Sequence, residues 1–146
     1  MTPPIKARLK AALHAQEMGF EVRWRLDPVL ELPDWKDLYG EFLASAARAG
    51  HHPSRITLGT YRETQPSLLT FARGWGLPPR EFQRPTLAKE GAHYHTDRAA
   101  RIEVYRFVAQ EIRGAWGPAA PLVALCKEPR AVRAEAGLIA ETCNCG

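Results

Sequence analysis

The sequence predicts an α/β fold in which helices alternate with short, mostly parallel strands and an irregular insertion precedes the longest helix. Three observations carry this. Residues 20–27 alternate apolar and polar side chains with period two. Residues 35–46 repeat apolar side chains at helical spacing. Residues 63–96 keep no period and contain Pro66, Gly74, Gly76, Pro78, Pro79, Pro85 and Gly91.

Taken in order, residues 4–18 read as a helix with Ile5, Leu9, Ala12, Leu13 and Gln16 on one face and Gly19 at its C-terminal end. Phe20 to Leu26 reads as a strand, with Phe20, Val22, Trp24 and Leu26 set against Glu21, Arg23, Arg25 and Asp27, and Pro28 ends it. Pro33-Asp34 opens a second helix carrying the stripe Trp35, Leu38, Tyr39, Phe42, Leu43 and Ala46, closed by Gly50. Arg55 to Arg62 is rich in β-formers and reads as one strand. Within the insertion, Ser67 to Arg73 predicts a short helix capped by Gly74. A stretch of this length without regular structure serves commonly as a lid or binding loop. Thr96 or Asp97 caps the longest helix, about 98–115, whose buried face is Ile102, Tyr105, Val108, Ala109, Ile112 and Trp116. Pro121 to Lys127 is a third strand. Pro129 opens a last helix that Gly137 ends. Three parallel strands make a thin sheet, and parallel sheets are normally covered on both faces. The pattern therefore reads as part of a larger barrel or sheet.

The length of 146 residues fits one domain, 1–146. Hydrophobic content of 45% and charged content of 25% are those of an ordinary globular protein. No apolar run reaches the roughly 20 residues of a membrane helix. The N-terminal stretch lacks the apolar core of an export signal, so a cytoplasmic location is expected. The net charge of +4 permits a nucleic-acid partner without requiring one. Neither a P-loop nor a G-x-G-x-x-G, G-x-S-x-G or H-E-x-x-H motif occurs, which removes the common nucleotide-binding and hydrolase routes.

In βα folds, ligands gather at the C-terminal ends of strands. Those ends carry Arg25 and Asp27, then Thr60 and Arg62, then Cys126, Lys127 and Glu128. The set is basic with two acids and suits an anionic or zwitterionic ligand. The alternation alone fits a solvated strand end with an Arg–Asp pair equally well. Tyr94 beside Asp97, Arg98 and Arg101 is an aromatic-plus-basic patch of the kind that stacks bases and holds phosphates, or else a polar loop with a packed tyrosine. His93 and His95 lack a third ligand in sequence, so no metal site is expected. The cysteines are Cys126, Cys143 and Cys145, separated by 16 and by one intervening residue. That spacing matches neither a zinc site nor a disulfide framework.

Several segments taken together resemble the second half of spore-photoproduct-lyase-like radical S-adenosylmethionine enzymes. They are Arg23-Trp24-Arg25-Leu26-Asp27-Pro28, Leu58-Gly59-Thr60-Tyr61-Arg62, and the stretch from Tyr94 to Arg106 with Asp97-Arg98 and Glu103-Val104-Tyr105-Arg106. Leu125-Cys126-Lys127-Glu128 and Cys143-Asn144-Cys145 follow. The resemblance implies a partial (βα) barrel whose N-terminal half carries a C-x-x-x-C-x-x-C loop. That loop ligates a [4Fe–4S] cluster to which S-adenosylmethionine binds, and the radical formed reverses a thymine–thymine lesion in DNA. No C-x-x-x-C-x-x-C occurs in this sequence, and cluster ligation needs closely grouped thiolates. The resemblance thus implies the C-terminal half of such an enzyme, inactive without a separate cluster-bearing half. It places Arg25, Asp27, Thr60 and Arg62 near S-adenosylmethionine or substrate, and Tyr94, Arg98 and Lys127 toward substrate or phosphate. Cys126 is read as a strand residue rather than a hydrogen donor, and no catalytic residue is assigned. Two rival expectations are a non-catalytic basic module that binds nucleic acid and a non-functional remnant.

Overall fold

The computed structural model describes residues 3–63, 87–90 and 93–139. Helix α1 (Ile5–Glu17) precedes strand β1 (Arg23–Val29), helix α2 (Trp35–Arg48), strand β2 (Arg55–Thr60) and the two-residue strand β3 (Arg62–Glu63). Strands β4 (Leu87–Glu90) and β5 (His93–Thr96) lead into helix α3 (Arg98–Trp116), a single 3₁₀ turn, strand β6 (Leu122–Leu125) and helix α4 (Arg130–Ala136). The helix expected over Ser67–Arg73 and the Cys143/Cys145 pair lie outside the described residues.

The main sheet is parallel, in the order β1-β2-β6. Its register aligns Trp24 with Ile56 and Val123, and Leu26 with Leu58 and Leu125. Strand side chains alternate between faces, so these six residues share the face that α2 and α3 cover. Arg25, Thr57 and Ala124 share the opposite face. Strand β2 is buried from Ile56 to Thr60, as a central parallel strand must be. Leu43 and Ala46 of α2 meet Tyr105, Val108, Ala109 and Ile112 of α3 in one core. Aromatic rings close its lower end. Trp24 lies edge-on to Trp116 at 6.2 Å and to His51 at 5.2 Å, and the Trp116 indole donates to the His51 carbonyl at 2.6 Å.

The buried face expected on α3 is buried at every position named, and its cap is Asp97, whose carboxylate accepts from the Ala99 and Ala100 amides. Gly137 ends α4 in the left-handed conformation, as its position predicted. Four expectations need correction. Strand β1 does not stop at Pro28 but runs through a cis Asp27–Pro28 bond to Val29, with a register irregularity. The pairing with β2 is interrupted there: Asp27 and Pro28 have no register partner and Val29 rejoins β2 opposite Thr60, an irregularity of the kind at which a strand takes a residue without an N–H. The segment Arg55–Arg62 is two strands: Arg62 and Glu63 leave the parallel sheet to pair with β5. The stretch expected to be irregular holds β4 and β5, which form an antiparallel sheet in the order β3-β5-β4. On the second helix, Leu38 of the expected apolar stripe is exposed.

Trp24 touches three aromatic side chains in this core. Trp24→Ala is expected to destabilise the fold by about 3–5 kcal/mol, the usual cost of emptying an aromatic core site. A urea titration measures it. A change below about 1 kcal/mol would show that the aromatic cluster does not hold β1 to the helices.

Candidate functional site at the strand ends

Near the C-terminal ends of the paired strands β1 and β2, position 59 has no side chain. A Cβ there would lie 2.4 Å from Asp27 Oδ1, closer than real contacts allow. Glycine lets the Asp27 carboxylate lie against the β2 backbone. Held there, it accepts two hydrogen bonds from Arg62, at 3.1 Å from Nη1 and 3.0 Å from Nη2. Arg25 approaches the same carboxylate with Nη2 at 2.7 Å and Nε at 3.2 Å from Oδ2. Asp27 thus sits between two guanidiniums, its side chain 8% exposed. Burial raises its carboxyl pKa, but the hydrogen bonds from Arg62 and Arg25 outweigh this and hold it below the usual range.

The cluster reaches β6 through Cys126. Its backbone amide donates to the Leu58 carbonyl at 2.7 Å. Its sulfur accepts from Arg25 Nη2 at 2.8 Å, and Arg62 Nη2 lies at 3.5 Å. The sequence reading that made Cys126 a plain strand residue is too modest. The residue is buried at the mouth of the sheet with its thiol between two cations. Lys127 follows with φ of +54°, a left-handed conformation uncommon for lysine. The reversal leaves Lys127 exposed and turns Cys126 and Glu128 inward.

Behind this cluster lies a second network that sequence reasoning missed. Tyr105 of α3 receives the Thr60 amide at 3.1 Å, shares its hydroxyl with the Thr60 side chain at 3.2 Å, and donates to Glu128 Oε1 at 2.6 Å. Arg101, one turn earlier, is 1% exposed. Its Nη1 donates to the Thr96 carbonyl and its Nη2 to Glu90, both at 2.6 Å. Its Nε pairs with Glu128 Oε1 at 3.3 Å without hydrogen-bond alignment. Burial raises the Glu128 carboxyl pKa against the opposing pull of Tyr105 and Arg101. Burial, with Glu128 beside it, raises the Tyr105 phenol. The available signal was weak: Arg101 falls on the buried stripe of α3, but an arginine there reads as a flanking charge.

Of the residues expected to serve the site, Arg25, Asp27 and Arg62 form one cluster. Thr60 lies immediately behind it, buried, its carbonyl 3.4 Å from Arg62 Nη1. Tyr94, Arg98 and Lys127 occupy three separate elements. Tyr94 lies in β5 between Glu63 and Lys89. Arg98 opens α3 and is ion-paired with Glu135 of α4, and Lys127 is in the turn after β6. Among the described residues, no group of three or more His, Cys, Asp or Glu could hold a metal ion. No helix there is long and apolar enough to cross a membrane.

No protein-family profile and no curated protein matches the sequence. Solved structures do match. One is spore photoproduct lyase complexed with dinucleoside spore photoproduct, with a TM-score of 0.64 and 17% identity. Another is a cysteine-to-alanine variant of spore photoproduct lyase, with a TM-score of 0.66 and 17% identity. A third is a double variant with bound AdoMet and dinucleoside spore photoproduct, with a TM-score of 0.64 and 17% identity. Each alignment covers 85% of this chain and 38% of the solved one. The fold is therefore that of part of spore photoproduct lyase, and the chain spans well under half the length of the proteins it matches.

Two predictions follow from the geometry. Asp27→Asn removes the anion between Arg25 and Arg62, and breaking a partly buried pair in this way should cost about 1–3 kcal/mol, discounted for the exposure of Arg25. The lowered pKa of Asp27 fixes the sign with pH. Its contribution is present above the unfolded carboxyl value, near 4, and is lost as pH falls through the folded value. Urea midpoints of the wild type and Asp27→Asn should therefore converge in acid, and a constant gap from pH 7 to pH 3 would contradict the pairing. Gly59→Ala should act through the same carboxylate. In a double-mutant cycle its cost should shrink in the Asp27→Ala background, which removes the oxygens the new Cβ would meet, whereas full additivity would show that Gly59 serves something else.

Proposed function

We propose that this chain is the C-terminal portion of a radical S-adenosylmethionine enzyme of the spore photoproduct lyase type, acting inside the cell on a DNA lesion and completed by a cluster-bearing half. The observation that carries the reading is the position of the Arg25–Asp27–Arg62 cluster. It lies at the C-terminal ends of parallel strands, where βα folds bind their ligands, in a chain that shares the lyase fold over 85% of its length.

The two cofactors of such an enzyme fare differently against these residues. An iron–sulfur cluster does not fit this chain. Its three cysteines lack cluster spacing, and Cys126 is committed to Arg25 and Arg62. S-adenosylmethionine does fit the donor set. Guanidiniums suit its carboxylate, and Asp27 holds the two of them in place. Arg25 is the most accessible of the three, at 40% side-chain exposure, against 17% for Arg62. When bound beside a cluster, this cofactor supplies the radical. Here Arg25 and Arg62 orient its amino-acid end, and Thr60 with Tyr105 holds the strand end that carries Arg62. Tyr94, Arg98 and Lys127 are assigned to the DNA side, where a ring and two cations stack on bases and neutralise phosphates.

Anaerobic co-expression with a C-x-x-x-C-x-x-C-bearing half tests the proposal. The pair should be brown, cleave S-adenosylmethionine and repair an oligonucleotide carrying a thymine–thymine lesion. Arg25→Ala should raise the KM for S-adenosylmethionine at least tenfold while leaving the cluster absorbance unchanged. A colourless, inactive pair would sink the reading. If the isolated chain nonetheless binds plain DNA with a steep salt dependence, a non-catalytic nucleic-acid module replaces it.

A further inference from the structure

His95 is an unusual residue for its surroundings. It is 5% exposed, in the central strand of the small antiparallel sheet. It sits opposite Arg62 of β3 and Ala88 of β4. Each neighbouring element presents it with charge or a titratable ring. Arg62 comes from β3, Glu90 from β4, His93 from its own strand and Arg101 from α3. Its Nδ1 is fully enclosed with no hydrogen-bond partner among the described residues.

The neutral ring tolerates this position. A protonated one does not. Protonation makes both ring nitrogens donors, and the enclosed Nδ1 has no acceptor among the described residues. It also adds positive charge beside Arg62 and Arg101, whose own charges are already committed to Asp27, Glu90 and Glu128. Burial and Arg101 accordingly hold the His95 pKa below its ordinary value, against the opposing pull of Glu90.

The same residues fasten β4 and β5 to the rest of the molecule. Arg101 takes Glu90 from β4 and the Thr96 carbonyl from the end of β5. It also pairs with Glu128 beyond β6. Glu90 is the outer member of this clasp, its side chain 43% exposed. A charge appearing next to Arg101 therefore acts on the fastening itself.

We propose that His95 is an acid-operated release for β4 and β5: protonating it frees the two strands from Arg101 and uncovers the Glu128 end of the site. The sign follows from linkage. The released strands bind the proton with the ordinary histidine affinity, the docked ones more weakly, so docking is full above about pH 6.5 and weakens below it. The proposal does not depend on radical chemistry and survives if the enzymatic reading fails.

Hydrogen exchange of the full chain, corrected for the intrinsic pH dependence of exchange, tests it. Amides of residues 87–90 and 93–96 should lose protection by up to about tenfold per pH unit below pH 6.5, while those of β2 and α3 stay protected. His95→Gln should abolish the step, and His93→Gln should keep it. If His95→Gln does not fold, a histidine titration by NMR on the native chain decides. His95 should titrate below 6.5, with the amides of β5 moving at the same midpoint. Flat protection, an unchanged step in His95→Gln, or a His95 midpoint at or above 6.5 would overturn the proposal.

Discussion

The site rests on one steric allowance. Asp27 can bridge Arg25 and Arg62 only because Gly59 leaves room for its carboxylate. That bridge ties β1 to the point where the chain leaves the parallel sheet. Thr60 ends β2 and Arg62 begins β3, so a single carboxylate joins both sheets. Without it, two guanidiniums would face each other across a half-buried gap, and the short β3 would lose its one charged contact with the main sheet among those described. The geometry of the strand ends thus follows from a glycine two residues before the turn.

Behind the bridge, the ionic groups are too buried to be explained by stability alone. Arg101 and Glu128 are each 2% exposed by side chain and lie 3.3 Å apart. Desolvating such a pair costs about as much as the attraction returns, and an apolar replacement of the same shape is often as stable. What the pair provides is placement. Glu128 takes the Tyr105 proton donor, Tyr105 takes the Thr60 amide, and Arg101 takes β4 and the end of β5. Three segments distant in sequence are thereby given one arrangement at the strand ends. That requirement, more than net stability, accounts for an arginine at a core position of α3.

The parts legible in the sequence were those written in local periodicity. The stripe of α3 and the Gly137 cap each follow from residues within one or two turns, and each is present; the alternation expected from Phe20 to Asp27 holds only from Arg23 to Arg25, since β1 begins at Arg23, Phe20 is exposed and the Asp27 side chain is buried. The losses were non-local. Leu87-Ala-Lys-Glu and the extended His93-Tyr-His-Thr are too short and too polar to read as sheet strands by themselves, and they are strands because each finds a partner, β5 for β4 and β3 for β5. The same holds within the site. Arg25, Asp27 and Arg62 could be named from strand-end position, but their convergence on one carboxylate depends on Gly59, 32 residues along the chain from Asp27. Glu128 was seen at a strand end and left without a role, because its partners Tyr105 and Arg101 look like core and surface until α3 is packed.

The division of labour in the site then follows from which charges are already spent. Asp27 is shared by two arginines, so the cluster carries one net positive charge beside a thiol. Such a site can orient the carboxylate of an amino-acid ligand or a phosphate. The Cys126 sulfur accepts from Arg25 and lies within reach of Arg62, so the thiol belongs to the same network. Arg25 is the member of this network that solvent reaches most easily. It lies on the edge strand β1, it is the most exposed member of the cluster, and it bonds both Asp27 and Cys126. A group that competes for Arg25 would therefore loosen Asp27 and Cys126 together, and through Asp27 it would act on Arg62 at the start of β3.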